Sequence, residues 1–561
     1  MKFKKNLFQH MKYLIFLFLF SPYIYSQQFY LKIEGSSSTE NKIIDSIGYI
    51  KTHKEIKNLL ESQNNFNQNL LKIGYLENEL LETKKTNDSS FTFIYRLGNA
   101  TRNIKIKTDS LSNEVKEILN LQPSEIILLS NTENYINEKL NILEKRGFAQ
   151  SKIKLDNFYK TNNQLQANLI IELNNIRKIN NLVFQGYSQF PNGIKKVFLR
   201  KYQSKPFNKG IIKKIHSDFN SLPFVTQTKY PEVLLTTDST KVYLYLEKRK
   251  NNSFDGFLGF GNKEETQKLQ FNGYLDLNLY NNLNSGERFN LYWKNDGNKQ
   301  STFNVNLDLA YIFQSPMALK ANLKIFKQDT IFQNSSFDFD LGYMINYNTK
   351  AFIGYKDNVS EAIQKTPSSF VKDLKSTFVT TTFEHKKIDF DDSLFPDKFS
   401  FFTKFGIGDR TASSIKTNQF FAQFQIQHLL ELNKKNYIHL KNDTYFLQSD
   451  DYFTNELYRF GGIQSIRGFN ENSLQGNVFS GIFAEYRYVV SSNLYFYSIT
   501  DFGYYQDKAN NSKDQLYGLG FGFGLLSNGG LFNLVYANGN TGNQTIKLSN
   551  SIVQISFKTY F

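Results

Sequence analysis

Few residues in this chain have the types and spacing that chemistry needs. The six histidines, His10, His53, His216, His385, His428 and His439, form no HExxH or other ligand spacing. Gly518, Gly520, Gly522 and Gly524 recur at every second position, which is one face of a strand and not a phosphate loop. With no cysteine there is no disulfide scaffold, thiol nucleophile or thiolate metal site. Nothing asks for catalysis or for a cofactor or metal. What stands out is charged and local: Arg459-Phe460-Gly461-Gly462, then Ile466-Arg467-Gly468-Phe469, with Glu485, Arg487 and Asp501 downstream. A guanidinium is a fixed fork that can bond two carboxylates at once, and that chemistry is tethering. Gly468 beside it supplies a turn or a close approach that a Cβ would block.

The elements that must position this set come from the rest of the 561 residues. Lys and Arg number 67 against 51 Asp and Glu, a net +16, with 40% hydrophobic and 16% aromatic residues. That is too apolar for a disordered chain, while a mean hydropathy of −0.45 excludes a bundle of membrane helices. Residues 1–26 read as a secretory signal: Lys2, Lys4, Lys5 and Lys12, the apolar run Tyr13 to Phe20, then Ser21-Pro22 and Ser26. The run is too short to span a bilayer, and no cysteine follows to carry a lipid. An exported chain has little access to nucleic acid, so the basic balance points to no nucleic-acid partner and fits a surface near anionic lipid.

After the signal, a pattern repeats three times. Leu31, Ile33 and Gly35 recur as Ile104, Ile106 and Thr108 and as Leu182, Phe184 and Gly186, at spacings of 73 and 78 residues. Each strand precedes a helix-period segment that ends at Gly74-Tyr75, Gly147-Phe148 or Pro223-Phe224, where Gly or Pro stops the helix and the aromatic closes the core. Two strand-like runs finish each block. The unit is β-α-α-β-β, with expected domains at 27–100, 101–175 and 176–250. Its order and length resemble the POTRA domain, a periplasmic module that recruits client polypeptides by adding their strands to its sheet edge.

Residues 251–561 alternate with a period of two. Leu269, Phe271, Gly273, Leu275, Leu277 and Leu279 interleave with Gln270, Asn272, Tyr274, Asp276 and Asn278; Phe337, Phe339, Leu341, Tyr343 and Ile345 interleave with Asp338 and Asp340. A soluble sandwich also alternates. Number, length and the Asn, Gln and Asp of the polar face favour a transmembrane antiparallel β-barrel with a watery lumen. Sixteen strands are expected, starting near 253, 268, 287, 301, 317, 335, 350, 374, 398, 418, 436, 478, 494, 515, 531 and 551. The stretch Phe352 to Leu374 reads poorly as strand. Lipid cannot hydrogen-bond an open edge, so the last strand must pair with the first. At that seam, Gly256, Gly259 and Gly261 in the first strand weaken it, and the last strand ends on Phe561.

Three features together carry a family resemblance. The Ile466-Arg467-Gly468-Phe469 segment resembles the (V/I)RG(F/Y) loop signature of the BamA/TamA superfamily of outer-membrane assembly factors and two-partner secretion transporters. Glu485-Tyr486-Arg487-Tyr488 and Asp501-Phe502-Gly503 follow in the order and spacing that family shows, and the terminal aromatic strand resembles its insertion signal. The resemblance implies that the loop folds into the lumen, that Arg467 pairs with Glu485 and Asp501, and that the protein sits in the bacterial outer membrane with its N-terminal domains in the periplasm. Three repeats and sixteen strands look most like TamA. That implies an assembly factor acting on unfolded outer-membrane or secreted clients, with a TamB-like periplasmic partner and outer-membrane lipid around the barrel. The alternatives are a two-partner-secretion-type transporter for one exoprotein and, outside the family, a passive porin.

Overall fold

The computed structural model describes residues 28–161, 164–262, 269–295, 300–363, 370–542 and 551–561. The expected export signal lies outside the described residues. The chain forms two compact units: the first two repeats, up to Arg177 and including Pro206–Asn208, and the third repeat with the barrel, Lys178–Lys205 and Lys209–Phe561.

In the first repeat, strand Phe29–Gly35 leads through helices Ser38–Ile47 and Ile56–Ile73 to strands Glu79–Asn87 and Ser90–Arg96. The second repeats this order with Asn103–Lys107, Asn113–Leu119, Thr132–Lys145, Lys152–Thr161 and Gln164–Glu172. In the third, Asn181–Gln185, Asn192–Tyr202 and Lys209–Asn220 precede Glu232–Leu235 and Thr240–Lys248. Short strands Thr52–His53, Ser124–Leu128 and Val225–Gln227 add to the order read from the sequence. In every repeat the first strand pairs parallel with the last. That geometry needs a crossover, and the two helices provide it.

The Gly-aromatic and Pro-aromatic pairs sit where the helices stop. Tyr75 N–H bonds back to Leu70 O at 2.9 Å, Phe148 N–H to Leu143 O at 3.0 Å. Tyr75 and Phe148 pack against their repeats' cores, and Phe224 is 1% exposed. The same corner receives the outgoing chain each time: Thr101 N–H bonds Gly74 O, Arg177 N–H bonds Gly147 O, and Arg249 N–H bonds Phe224 O, at 2.8 to 3.0 Å.

The barrel strands are β1 Ser253–Asn262, β2 Leu269–Tyr280, β3 Arg288–Asn295, β4 Gln300–Ile312, β5 Met317–Gln328, β6 Phe332–Asn346, β7 Thr349–Ala362 and β8 Leu374–Ile388. They continue as β9 Asp397–Ala412, β10 Ile415–Asn433, β11 Asn436–Gln448, β12 Val478–Ser491, β13 Leu494–Asp507, β14 Ser512–Ser527, β15 Gly530–Thr541 and β16 Ser551–Tyr560. All sixteen close into one antiparallel barrel, and every start falls within three residues of its expected position. The stretch that reads poorly holds a strand after all: β7 pairs along its length with β6 and β8. Its outward residues run Ile353, Tyr355, Asp357, Val359 and Glu361, so charges interrupt its apolar face. Asp357 pairs with Lys375 at 3.5 Å.

Side chains sort as a lipid environment demands. Phe337, Phe339, Leu341, Tyr343 and Ile345 face outward and are exposed, while Asp338 and Asp340 between them are buried inward. Ile353 is 71% and Ile407 70% exposed on the outer wall; a closed barrel with such an apolar belt is an integral outer-membrane protein. The third repeat docks on the turns at one end of this barrel. Ile194, Phe198 and Tyr202 line one face of the Asn192–Tyr202 helix at a spacing of four residues. The Phe198 ring lies 5.9 Å from Tyr311, Arg200 donates to Gln314 O at 3.1 Å, and Asn281 donates to the Tyr187 hydroxyl at 2.7 Å. Phe198→Ala is expected to cost this repeat about 3–5 kcal/mol; limited proteolysis of the full chain should then cut between repeat and barrel faster, while the barrel stays resistant.

Candidate functional site: a loop anchored inside the barrel

Between β11 and β12 the chain makes a loop of residues 449–477. Inside it, Tyr458–Phe460 pairs with Leu474–Gly476 as a two-stranded ribbon, and Gly462 N–H bonds Ile466 O at 3.1 Å. This tightens the segment so that Ile466 and Arg467 point into the wall. Ile466 is fully buried in an apolar cluster with Phe460, Phe479, Phe483 and Leu516, and Phe469 packs against the same cluster. Gly503 leaves the room for it, since a Cβ there would sit 3.1 Å from the Ile466 side chain.

Arg467 then reaches both carboxylates that the resemblance implies. Its Nε donates to Asp501 Oδ2 at 2.8 Å and a terminal nitrogen to Asp501 Oδ1 at 2.5 Å, a bidentate fork. Its backbone N–H adds a bond to Asp501 Oδ2 at 3.0 Å, and its other terminal nitrogen bonds Glu485 Oε1. Asp501 and Arg467 are 2% and 6% exposed, so each charge depends on the others for its solvation. One guanidinium against two carboxylates leaves an excess negative charge, and Arg487 balances it by holding Glu485 Oε2 at 2.8 and 2.7 Å.

Gly468 lies at φ +86°, in the left-handed region, with its Cα against β15: a Cβ would overlap the backbone of Asn538 and Gly539. The alternate glycines of β14 make the floor. A Cβ at Gly518 would meet Arg467 O at 2.6 Å, and at Gly522 and Gly524 it would strike the rings of Tyr497 and Tyr495.

Several contacts of the loop are not legible in the sequence, because nothing local marks them. Arg410 on β9, 2% exposed, donates to Glu456 Oε1 at 2.7 Å, and Gln419 on β10 donates to Glu456 Oε2 at 2.8 Å. Asn455 donates to Ser360 Oγ on β7 at 2.6 Å. The Arg459 guanidinium lies 5.2 Å from the rings of both Phe326 and Phe332, and Glu471 pairs with Lys294 on β3. The loop is therefore moored to walls all round the lumen. Beside it remains a cavity of about 760 Å³, lined by charged residues such as Arg288, Lys320, Asp338, Asp340, Lys356 and Lys404.

The seam residues lie apart from this anchor. β1 and β16 share two residue pairs among the described residues, Ser253 with Tyr560 and Phe254 with Thr559. Every other neighbouring pair of barrel strands shares at least eight. Phe561 N–H bonds Asn252 O at 2.9 Å, at the same end. Gly259 and Gly261 pair with Asn272 and Gln270 of β2, and no partner from β16 reaches them among the described residues. Gly256 has a steric reason of its own, as a Cβ there would lie 2.6 Å from Tyr274 O of β2.

Fold and anchor together define an outer-membrane β-barrel that carries POTRA-like repeats and folds a loop into its lumen. No protein-family model matches the chain, and no curated protein matches it. Among solved structures, CdiB from Acinetobacter baumannii and CdiB from Escherichia coli each align with a TM-score of 0.52, at 14% and 13% identity, over 90% of this chain and 97% of theirs. BamA from Haemophilus ducreyi lacking POTRA domains 1–3 aligns at 0.45, with 14% identity, over 81% of this chain and 98% of that one. At such identities the two CdiB structures establish a shared fold.

Removing the guanidinium strands two buried carboxylates, so Arg467→Ala is expected to cost the loop's anchorage about 3–5 kcal/mol. Protease added outside intact cells should then cut the loop, which it spares in the parent. Arg467→Lys keeps the charge without the fork and should fall between, and Gly468→Val should resemble Arg467→Ala.

Proposed function

We propose that this chain is an outer-membrane assembly and translocation factor. Its repeats, residues 27–250, capture unfolded outer-membrane or secreted polypeptides, and its barrel, residues 251–561, passes them into or across the membrane at the seam of β1 and β16. The observation that carries this reading is the short seam. A spanning strand needs roughly 9–11 residues, and the two pairs found among the described residues leave most of both described edges to be satisfied by something else. A client strand can add there by β-augmentation, and insertion then proceeds without an open edge facing lipid. The mooring of the loop supports the same reading, since it keeps the lumen occupied while the seam works.

A second reading, export of one dedicated exoprotein, is favoured by the loop and the cavity lying in the same lumen: withdrawing the loop would widen the space a threaded chain uses. Depleting the protein in its host and quantifying outer-membrane and secreted proteins by mass spectrometry separates the two. A fall in several barrels or surface proteins is expected; loss of a single exoprotein, with the membrane unchanged, would overturn the first reading in favour of the second. The seam has its own test, because the chain has no cysteine. Ser253→Cys with Tyr560→Cys, oxidised, should stop client assembly and recover it on reduction; assembly at the parent rate with the bond formed would sink the seam mechanism.

A further inference from the structure

The loop enters the lumen from one end of the barrel, and a second segment enters from the other. The turn between β8 and β9, residues 389–396, is curled by Asp392, which accepts from the backbone N–H groups of Leu394 and Phe395 at 3.1 and 2.9 Å and pairs with Lys398. This curl brings Phe395 inward over β11 and β13, where it is 4% exposed. Its ring meets Tyr495 of β13 at 4.7 Å and Tyr437 of β11 at 5.1 Å, both edge to face. A turn that joins β8 to β9 thus reaches past β10 to pack against β11 and β13 at one mouth of the lumen.

The contact that matters comes from above. The Arg487 guanidinium lies 5.0 Å from the centre of the Phe395 ring, and the same guanidinium holds Glu485, whose other oxygen takes Arg467. From turn to loop the links are Phe395, Arg487, Glu485 and Arg467, each in direct contact with the next. A second contact runs in parallel: Ile463 of the loop packs against the apolar cluster that contains Phe395, Tyr437, Tyr495 and Tyr497. At its other end the turn meets the third repeat, where Arg249 donates to Val225 O at 2.9 Å and places its guanidinium 4.5 Å from the Phe390 ring.

We propose that the 389–396 turn is a second plug segment and that Arg487 is the positioning residue joining it to the loop, so that drawing the turn out of the lumen loosens the Arg467 anchor. The ring gives Arg487 a face to lie on and keeps water from its pair with Glu485. A partly desolvated cation over an aromatic face shifts an equilibrium by roughly tenfold, and a drier ion pair is stronger. The coupling stands on these contacts and does not depend on which client the protein serves.

The test uses the full chain in lipid vesicles with Ser465→Cys, a single thiol in place of a buried Oγ next to Ile466, and reads its rate of modification by a maleimide polymer. Phe395→Ala and Arg487→Gln are each expected to raise the rate about tenfold. In an Arg467→Ala background, Phe395→Leu, which keeps the apolar contact with the cluster that Ile463 meets, should change it less than about twofold, because the charged link is already cut. Phe395→Tyr, which keeps the ring, should label as slowly as the parent, whereas Phe395→Leu, which keeps only apolar bulk, should label fast. Parent-like labelling of both Phe395→Ala and Phe395→Leu, or an equal acceleration with and without Arg467, would overturn the proposal. Heat-modifiable gel mobility shows which barrels are folded, and Phe395→Leu with Arg487→Lys carries the comparison where the larger truncations do not fold. Since client assembly is not the readout, the outcome is independent of the proposed function.

Discussion

A peptide group in the hydrocarbon core of a bilayer has no water to bond, and this constraint shapes the whole C-terminal half of the chain. It forces sixteen strands to share their edges around a closed ring. It sets the alternation of Phe337, Leu341 and Ile345 with Asp338 and Asp340, and it makes the junction of β1 with β16 the place where the rule is least well met. Among the described residues, the least paired junction belongs to the two strands that the chain itself cannot join by a turn, the first and the last.

The same scarcity of water governs the interior. Arg467, Arg487, Glu485 and Asp501 form a set of balanced charge, stable because each member is solvated by the others. Arg410 with Glu456 repeats the device on β9, four strands round the ring from Asp501. Between them the loop is held at both flanks, and the cavity is left on the side lined by Asp338, Lys356 and Lys404. Occupied and open space in this lumen are thus divided by where ion pairs were placed.

Much of this was legible in the sequence, for local reasons. Period-two alternation is written residue by residue, so strand number and starts follow from it, and the Gly74-Tyr75 and Gly147-Phe148 corners mark helix ends by conformational rules that need no tertiary context. β7 was obscured because Asp357 and Glu361 stand on its outer face where the apolar run should continue. Arg467 with Glu485 and Asp501 was reachable only through resemblance to a loop signature, since residues 18 and 34 positions apart carry no geometric mark of contact. Period-two counting from Ile482, Ala484 and Tyr486 on the outer face puts Arg487 on the lumen side, but its partner Phe395 lies 92 positions away in a turn, and neither residue type announces the other. Asn455 and Glu456 were invisible for the same reason.

The glycines of β14 have a consequence for how such a loop can be exchanged. Gly518, Gly522 and Gly524 give the wall no side chains of its own, and its relief is supplied by Arg467 and by the rings of Tyr497 and Tyr495. Loop and wall are therefore one surface divided between distant parts of the chain. The same loop moved into another barrel would find no seat unless the bare track and its tyrosines, the carboxylates of β12 and β13 and the Gly539 backbone of β15 were carried over too, so the transferable unit is the loop together with β12 to β15.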